Sequence, residues 1–566
     1  MASHRPHWEE SIFLAGLAGF AYLLFMGSVP LAAGTEGLWA ESARELALLG
    51  QPWQLTDRFS VAPQLPPLMI WIQALFIKVL GANLFAVRFP AMLLGMATVV
   101  VLYWQGSLLR DRLLGRLWAG LYLACLGTAW LHKTALPDVG AAFFLGLAAI
   151  QIMRLELPRK KDAPPAESPG WTIGFLCGLA SWSMGFWAGL SLLMAWLSWN
   201  LWRQARKGQW GHLFRAVVAW LVLFSGWHVL TYVMTYGSGW ETLPAYLGKL
   251  FFPGGFTWMG PVWALLLSLF PLVAPWLGLF RITIDKEPLD LWKNFAGTWL
   301  VWGLVMSFFP LYGEAASGSL AFWPGSFLAA LFFYQHIRNP QPLPRAMWII
   351  GGVGASLWLL ILGFWNVWME NMPLFLRQLQ PLGAAEHWPS VRNWTGWEWS
   401  LGVIWLVGSL VAFRWWQLGR SLRYIWWQAG LTVLCANLFL LFLLSPIRDA
   451  QQGGMQAFFE KLQGEEIYLI TDAASGSLPY FYAQMLPPSQ IQAKDDTWLT
   501  EGQADRDVYV VISSSQWAKV KPGRFRNFER LYEAGGWIFL LRPSPYRRLS
   551  EKAAPTGFLS NPYILH

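Results

Sequence analysis

Two carboxylic acids beside apolar segments are the side chains best suited to chemistry. Glu36 lies in a polar segment, residues 34–67, and Asp138 follows Pro137 at the start of an apolar stretch. An ionised carboxylate next to a bilayer is costly, so each acid is a functional-site hypothesis. Such a group can take the proton of a hydroxyl nucleophile. The structural alternatives are a first-turn acid favoured by the helix dipole for Glu36 and a helix N-cap for Asp138.

Three cations near these acids could contact a phosphate group. His132 and Lys133 come shortly before Asp138, and Arg88 lies in the apolar segment that follows the polar one. Positively charged side chains form the stronger hydrogen bonds to phosphate oxygens. In the alternative interpretation, His132 and Lys133 are ordinary interfacial residues and Arg88 extends its guanidinium group to the membrane surface.

The elements that must position these residues are membrane helices. Of the 566 residues, 55% are hydrophobic and 13% are charged, the mean hydropathy is +0.38, and 40 residues are Trp. This composition excludes an ordinary soluble protein and indicates a polytopic membrane protein. The net charge of +9 is spread in short groups between apolar segments, which argues against nucleic-acid binding. The three cysteines lack metal-ligand spacing, and neither a metal nor another cofactor is predicted.

About thirteen spanning helices are predicted from the lengths of the apolar stretches. Lys and Arg concentrate in loops on one side of this arrangement, which places the N-terminus in the cytoplasm and the polar segment, Asp138 and the C-terminal tail outside. If residues 171–202 form one long helix, the sidedness downstream inverts. The predicted spans are 11–33, 84–109, 117–133, 138–155, 171–184, 186–202, 212–236, 258–280, 292–312, 320–337, 345–366, 398–417 and 425–445.

The polar segment is predicted to begin two external juxtamembrane helices within residues 34–82. Thr35 is a suitable N-cap for a helix over Glu36–Leu49, and Gly50 ends that helix. A second helix begins at the Pro-Pro pair before Leu68, because proline is tolerated in a first turn.

The first of these helices has an apolar stripe and is expected to lie on the outer membrane surface. Glu41 and Glu45 lie off the stripe, so we expect them on the solvated face, paired with Arg44 or Arg58. The stripe consists of Leu38, Trp39, Leu46 and Leu49.

The tail becomes polar and mixed in charge, which predicts a transmembrane domain over residues 1–446 and a small external α/β domain over residues 447–566. The tail has no motif for phosphate binding, a triad or a metal cluster, so a lid or docking role and a structural role both stay open. Strands are predicted at 467–471, 508–513 and 537–542, and a helix at 476–485.

Several short motifs occur in a fixed order along the chain. Together they resemble the GT-C membrane glycosyltransferases related to bacterial lipid A aminoarabinose transferase and to protein O-mannosyltransferases, most strongly over residues 10–200. The residues that carry this resemblance are Glu36, Ala40, Glu41, Ala43, Arg44 and Glu45; Pro66, Pro67 and Leu68; Arg88, Phe89 and Pro90; Gly115 and Arg116; and Pro137 and Asp138.

The resemblance implies an inverting transfer of a sugar from a polyprenyl-phosphate donor to a lipid, glycan or protein acceptor on the external face. Asp138 matches the second acid of the family, and Glu36 is the candidate base, since the family's usual Asp-Glu pair is Thr35-Glu36 in this chain. Three lysines of the family pattern are absent. Thr35, Glu41 and Arg44 are the candidate supporting or acceptor-side residues.

Two hypotheses of different classes therefore stay open. In the first, the chain is a glycosyltransferase of the bacterial inner membrane, with a lipid-linked sugar donor and membrane lipids as partners. In the second, it is a catalytically inactive descendant that binds a lipid-linked saccharide or scaffolds a membrane assembly, because the usual Asp is replaced by Thr35. A transporter is the weaker alternative, because the spans lack mid-membrane charges and inverted repeats.

Overall fold

The chain folds mainly into α-helices, and its C-terminal part adds a small β-sheet. The predicted spans at 258–280 and 345–366 lie outside the described residues, so the total of thirteen spans stays a prediction. The computed structural model describes residues 6–32, 34–62, 64–156, 169–203, 207–236, 242–251, 287–308, 316–339, 399–465, 467–471, 475–487, 496–502, 504, 506–520 and 525–544.

The helices of the first 338 residues include several predicted spans at nearly their predicted positions. Among the described residues, four helices are long and apolar enough to cross a membrane: Leu84–Leu109, Asp138–Leu155, Gln209–Tyr236 and Ser421–Arg448. The helices are α1 (Trp8–Leu23), α2 (Thr35–Leu49), α3 (Pro67–Leu80), α4 (Leu84–Leu109), α5 (Arg112–Leu123), α6 (Leu126–Leu131), α7 (Asp138–Glu156), α8 (Pro169–Met184), α9 (Phe186–Trp202), α10 (Lys207–Tyr236), α11 (Leu243–Phe251), α12 (Glu287–Met306) and α13 (Phe322–Arg338).

The break between α8 and α9 confirms the prediction of two short helices over residues 171–202. Gly185 separates them with a φ of +101°, a backbone conformation that glycine adopts at little cost. The alternative of one long helix is therefore wrong.

The predicted span at 117–133 is wrong, because α5 and α6 are separate helices that meet at Ala124 and Cys125. The Thr128 hydroxyl donates to the carbonyl oxygens of Tyr122 and Cys125 at 2.6 and 2.8 Å. The same carbonyl groups also accept the backbone N–H groups of Cys125 and Ala129, so the Thr128 hydroxyl adds a side-chain bond that ties the two helix ends together at the break.

Helices α4 and α5 approach each other closely at two glycines. A β-carbon added to Gly115 would lie 2.3 Å from the carbonyl oxygen of Tyr103, and one added to Gly106 would lie 2.7 Å from the Cα atom of Gly115. The absence of side chains at both positions therefore allows the close crossing. In the Gly-Arg motif at residues 115 and 116, the glycine thus has a packing role.

Beyond residue 398, helices α14 (Ser400–Gln417) and α15 (Ser421–Phe439) lead towards the C-terminal part. The helical path continues from α15 without a break through a π-turn at Leu440–Leu444, α16 (Ser445–Arg448), a second π-turn at Asp449–Gly453 and α17 (Gly454–Glu460). We call the whole of residues 421–460 the connecting helix.

A short hairpin after α2 contains β1 (Thr56–Asp57) and β2 (Ser60–Val61). The C-terminal sheet contains β3 (Tyr468–Thr471), β4 (Val508–Ser513), β5 (Glu529–Ala534) and β6 (Trp537–Arg542). Its strand order is β3-β4-β6-β5, with β3 parallel to β4 and the other neighbouring pairs antiparallel. The predicted strands are confirmed, but β5 was not predicted because it is a mostly polar edge strand. The short helices of this part are α18 (Leu478–Ala483), α19 (Asp496–Glu501) and α20 (Ser514–Lys519).

One face of this sheet shares a core with the juxtamembrane helices. Tyr509 and Phe539 of the sheet belong to the same buried cluster as Phe458 of the connecting helix, Leu478 of α18 and Trp39 of α2. Burial of such side chains contributes roughly 1.5–3 kcal/mol each. The C-terminal part is therefore held against the residues that the sequence identified as a candidate site.

Candidate active site around Glu36 and Asp138

Helix α2 carries the candidate acids and begins one residue earlier than predicted. Its N-cap is Gly34, with a φ of +86°, and not Thr35. This conformation favours glycine over a residue with a β-carbon. The predicted end at Gly50 is confirmed, where a left-handed glycine donates its backbone N–H to the carbonyl of Leu46.

Glu36 is 2% exposed and both of its carboxylate oxygens accept hydrogen bonds. Oε1 accepts from Arg88 Nε at 2.8 Å and from the backbone N–H of Ala135 at 3.0 Å. Oε2 accepts from the backbone N–H of Ala32 at 2.8 Å, and Arg448 Nη1 lies 3.8 Å from it. Two guanidinium groups and two backbone donors therefore hold one carboxylate.

Arg88 joins this carboxylate to the segment that follows α1. Its Nη1 donates to the carbonyl oxygens of Met26 and Val29 at 2.7 and 2.6 Å, and its Nη2 donates to Pro30 at 3.3 Å. The apolar run after Leu23 was predicted as part of the first span, yet it leaves the helix here, and Arg88 satisfies the exposed carbonyl groups.

The electrostatics of Glu36 favour its ionised form. Burial alone would raise its pKa, but the charges of Arg88 and Arg448 and the hydrogen bonds outweigh that effect and lower the pKa below the ordinary value. A carboxylate in this state is a weak proton acceptor, and its lone pairs are engaged. Glu36 therefore serves the local structure as an anchor for three chain segments.

The Ala135 peptide brings the second acid into the same region. Its N–H donates to Glu36, and its carbonyl accepts from Gln73 Nε2 of α3 at 2.8 Å. Asp138, 1% exposed, begins α7 three residues later, and its Oδ1 accepts from the Ser319 hydroxyl at 3.2 Å. Glu36 is thus bonded to the short loop that leads to Asp138, and a site shared by the two acids stays a prediction.

His132 and Lys133 lie in that loop, but both are buried. His132 Nδ1 lies 3.1 Å from the carbonyl oxygen of Ala91, so Nδ1 carries a proton, and Nε2 lies 3.1 Å from the Tyr122 hydroxyl. Lys133 Nζ donates to the carbonyl oxygen of Leu24 at 2.6 Å and to Asn437 Oδ1. Their phosphate-binding roles stay predictions, as does that of Arg88.

Glu41 and Glu45 are both fully buried, so their predicted place on a solvated face is wrong. Glu41 accepts two hydrogen bonds from Arg44, each of 2.7 Å, which confirms the predicted pairing. Glu45 Oε1 accepts from the backbone N–H of Phe59 at 2.7 Å. The hairpin of β1 (Thr56–Asp57) and β2 (Ser60–Val61) therefore covers this face of α2.

The hairpin and the C-terminal part add a third carboxylate to this face. Asp57 Oδ1 accepts a hydrogen bond from the Ser477 hydroxyl, which comes from beside α18. At the turn, Arg58 and Phe59 have φ values of +52° and +57°, a conformation that costs non-glycine residues about 1–3 kcal/mol each. Neither Asp57 nor Ser477 carried a sequence signal, because their contact joins residues far apart in the chain.

Burial raises the pKa of Glu45 to about 8, and the neighbouring charge of Glu41 acts in the same direction. The folded state therefore binds this proton more tightly than the unfolded chain, so the free energy of unfolding falls as pH rises from about 4.5 to about 8. In Glu45→Gln we expect this fall to be reduced, which stabilises the variant by about 2 kcal/mol above pH 8 relative to wild type. Thermal unfolding from pH 5 to pH 9 measures the difference.

Glu529→Gln, an exposed change on edge strand β5, is the matched control for that experiment and should leave the pH profile unchanged. Parallel profiles of wild type and Glu45→Gln over this range would contradict the assignment.

Tryptophans outside the sequence-predicted site form a cluster beside α3. The ring centroids of Trp53, Trp71, Trp182 and Trp227 lie 5.3 to 6.4 Å apart in contacting pairs. Three of them, Trp53, Trp182 and Trp227, line an apolar groove of about 430 Å³ between α8 and α10. The four residues lie far apart in the chain, so no local sequence pattern brings them together.

No group of three or more potential metal ligands occurs among the residues that the structure describes. Arg448, which the sequence analysis did not single out, is the second cation at Glu36. Its position directly after a long apolar stretch was the available signal.

The fold is similar to that of the GT-C membrane glycosyltransferases, which agrees with the four described helices that are long and apolar enough to cross a membrane. Among the solved structures with a similar fold is that of ArnT, a lipid A aminoarabinose transferase. The crystal structure of ArnT from Cupriavidus metallidurans bound to undecaprenyl phosphate matches with a TM-score of 0.69, over 94% of this chain and 98% of ArnT, at 15% identity. The apo structure of the same protein matches with a TM-score of 0.69 over 94% and 97% of the two chains, at 16% identity. No protein-family model and no curated protein sequence matches this chain.

Proposed function

We propose that this chain transfers a sugar from a polyprenyl-phosphate donor to an acceptor on the external face of a bacterial inner membrane. The N-terminus is then cytoplasmic and the C-terminal part periplasmic. The proposal is supported by the fold shared with ArnT, whose structure contains undecaprenyl phosphate. It is also supported by the candidate acids, which lie next to the juxtamembrane helices.

The observation that carries the proposal is the state of Asp138. Its carboxylate accepts a 3.2 Å hydrogen bond from Ser319, and no Lys or Arg within the described ranges forms an ion pair with it. In contrast to Glu36, it therefore keeps lone pairs for a substrate hydroxyl. We assign Asp138 the role of proton acceptor, and we assign Glu36 the role of holding the loop that positions Asp138.

Lys133 is the proposed partner of the donor phosphate. Its ammonium group contacts two neutral oxygens, and no carboxylate in the described part of the chain forms an ion pair with it. Burial lowers the pKa of Lys133 to about 7, and an anionic phosphate beside it would favour the protonated form, whose charge stabilises a leaving phosphate. Arg88 is the less suitable candidate because Glu36 already neutralises its charge.

The apolar groove between α8 and α10 is the proposed site for the start of the polyprenyl chain. Trp182 and Trp227 line the groove together with aliphatic side chains such as Leu223. Its polar lining is negligible, which suits a hydrocarbon and not a headgroup.

A non-catalytic protein that binds lipid-linked saccharide is the second candidate. Two features of the Glu36 region favour it. The carboxylate oxygens of Glu36 already accept from Arg88 and from backbone donors, and Thr35 replaces the Asp that the GT-C pattern has at this position. In this alternative the site holds a donor headgroup without transfer.

A transfer assay separates these candidates. Purified protein in lipid nanodiscs is supplied with radioactively labelled polyprenyl-phosphate sugars. Transfer of label to a lipid, glycan or peptide acceptor with inverted anomeric configuration supports the enzyme. Saturable donor binding without transfer or donor hydrolysis supports the second candidate. Absence of both binding and transfer contradicts both.

A further inference from the structure

A polar cavity of about 500 Å³ lies between the membrane part and the C-terminal part, apart from the acids described above. One side is formed by Gly27 and by residues 82–85 between α3 and α4, and the other by the connecting helix and α18. The volume falls within the roughly 300–1,000 Å³ of small-molecule sites. Its lining side chains are unusually rich in amides.

Three glutamines of this lining have their amide nitrogens fixed by oxygen acceptors. Gln463 donates to the carbonyl of Tyr482 at 2.8 Å, Gln484 to the carbonyl of Ala82 at 3.3 Å, and Gln456 to Glu460 Oε1 at 2.7 Å. An oxygen acceptor can face only the NH₂ group of an amide, so these contacts determine the orientation of all three side chains.

Because the amide nitrogens are engaged, the amide oxygens remain as hydrogen-bond acceptors on the cavity wall. The amide oxygens of the three glutamines receive no hydrogen bond from the described residues, and Glu460 contributes a carboxylate. The lining contains no Lys, Arg or His, so phosphate and other anions are unsuitable ligands. A ligand rich in hydrogen-bond donors is required.

The remaining wall contains the half-buried ring of Phe85, backed by Phe481 and Tyr482, which are 3% and 2% exposed. Gln484 is held with a φ of +49°, a strained conformation that its bond to Ala82 helps to maintain. The cavity therefore combines apolar ring surfaces with fixed acceptors. A saccharide matches both features, because its hydroxyl groups can donate to the acceptors and its C–H face can pack on the rings.

We propose that this cavity is a saccharide-binding site on the external side of the protein. The hydroxyl groups of the saccharide donate to Gln456, Gln463, Gln484 and Glu460, and its C–H face packs on the aromatic wall. The proposal goes beyond sugar transfer and does not depend on it, because binding is measured without a polyprenyl donor.

The test uses the full chain in nanodiscs and saturation-transfer NMR with the methyl glycosides of glucose, galactose, mannose and N-acetylglucosamine. Gly27→Trp fills the cavity mouth without a backbone clash, because no atom lies within 4 Å of an added β-carbon. Gly248→Trp is the matched control, since the β-carbon position of Gly248 is equally open and lies outside this cavity.

We expect at least one glycoside to bind wild type and the control equally, and Gly27→Trp to weaken that binding about tenfold or more. Glu460→Gln should weaken it as well, whereas Glu465→Gln, an exposed change outside the lining, should not. No glycoside binding to wild type, or unchanged binding to Gly27→Trp, overturns the proposal. A response to spermidine without any response to glycosides identifies a cation site and overturns it as well.

Discussion

Replacement of Arg88 by Met is expected to destabilise the protein by about 3–5 kcal/mol, because it leaves the Glu36 carboxylate buried with a single distant cation. Arg448 lies 3.8 Å away and cannot replace the 2.8 Å bond from Arg88. The variant also leaves three backbone carbonyl groups after α1 without their donor. Thermal unfolding of the detergent-solubilised chain, followed by size-exclusion fluorescence, measures the loss.

Two further variants make this prediction specific. Adding Glu36→Gln to Arg88→Met should recover part of the stability, because the uncompensated charge is then absent. Arg116→Met removes an exposed ion pair with Glu10 and should cost less than about 1 kcal/mol. If Arg88→Met is no more destabilising than Arg116→Met, Glu36 is not the charged anchor described above.

The Asp138→Asn variant is expected to lower the rate of sugar transfer by about 10²- to 10⁴-fold, the usual contribution of a positioned general base. The amide keeps an oxygen that can accept from Ser319, so the fold and donor binding should be retained. Transfer at saturating donor and acceptor, together with the donor dissociation constant, separates a lost proton acceptor from lost binding.

Asp111→Asn is the matched control for Asp138→Asn. Asp111 is the N-cap of α5 and forms an ion pair with the exposed Arg338; asparagine is an equally good cap and the loss of an exposed ion pair costs less than about 1 kcal/mol, so transfer should be unchanged. Transfer by Asp138→Asn within about threefold of wild type would remove Asp138 from the chemistry while leaving the class of enzyme open.

The sequence predicted α2 and α3 well because local signals determine their ends. Gly50 stops one helix and Pro67 starts the other, whatever packs against them. The environment of Glu41 and Glu45 was predicted wrongly because it depends on distant segments. The strained hairpin and Ser477 cover this face of α2, and no periodicity within α2 reports on them.

The site was predictable in part for the same reason. Acids and cations next to apolar segments indicated Glu36, Arg88 and Asp138, but not which of them neutralise one another. The pairing of Glu36 with Arg88 requires the chain to leave the first helix at Leu23, whereas composition alone extends that helix to residue 33. The backbone carbonyl groups that Arg88 bonds could not be counted from sequence.

The connecting helix joins the Glu36 ion pair to the outer cavity. Arg448, near the Glu36 carboxylate, and Glu460, in the wall of the outer cavity, lie on the same unbroken helical path, about 18 Å apart at 1.5 Å per residue. The π-turn at Asp449–Gly453 and the Gly453-Gly454 pair lie between them, so this is the point at which the helical path can bend. The outer cavity at Glu460 and the ion pair of Arg448 with Glu36 are therefore joined through a single turn that can bend.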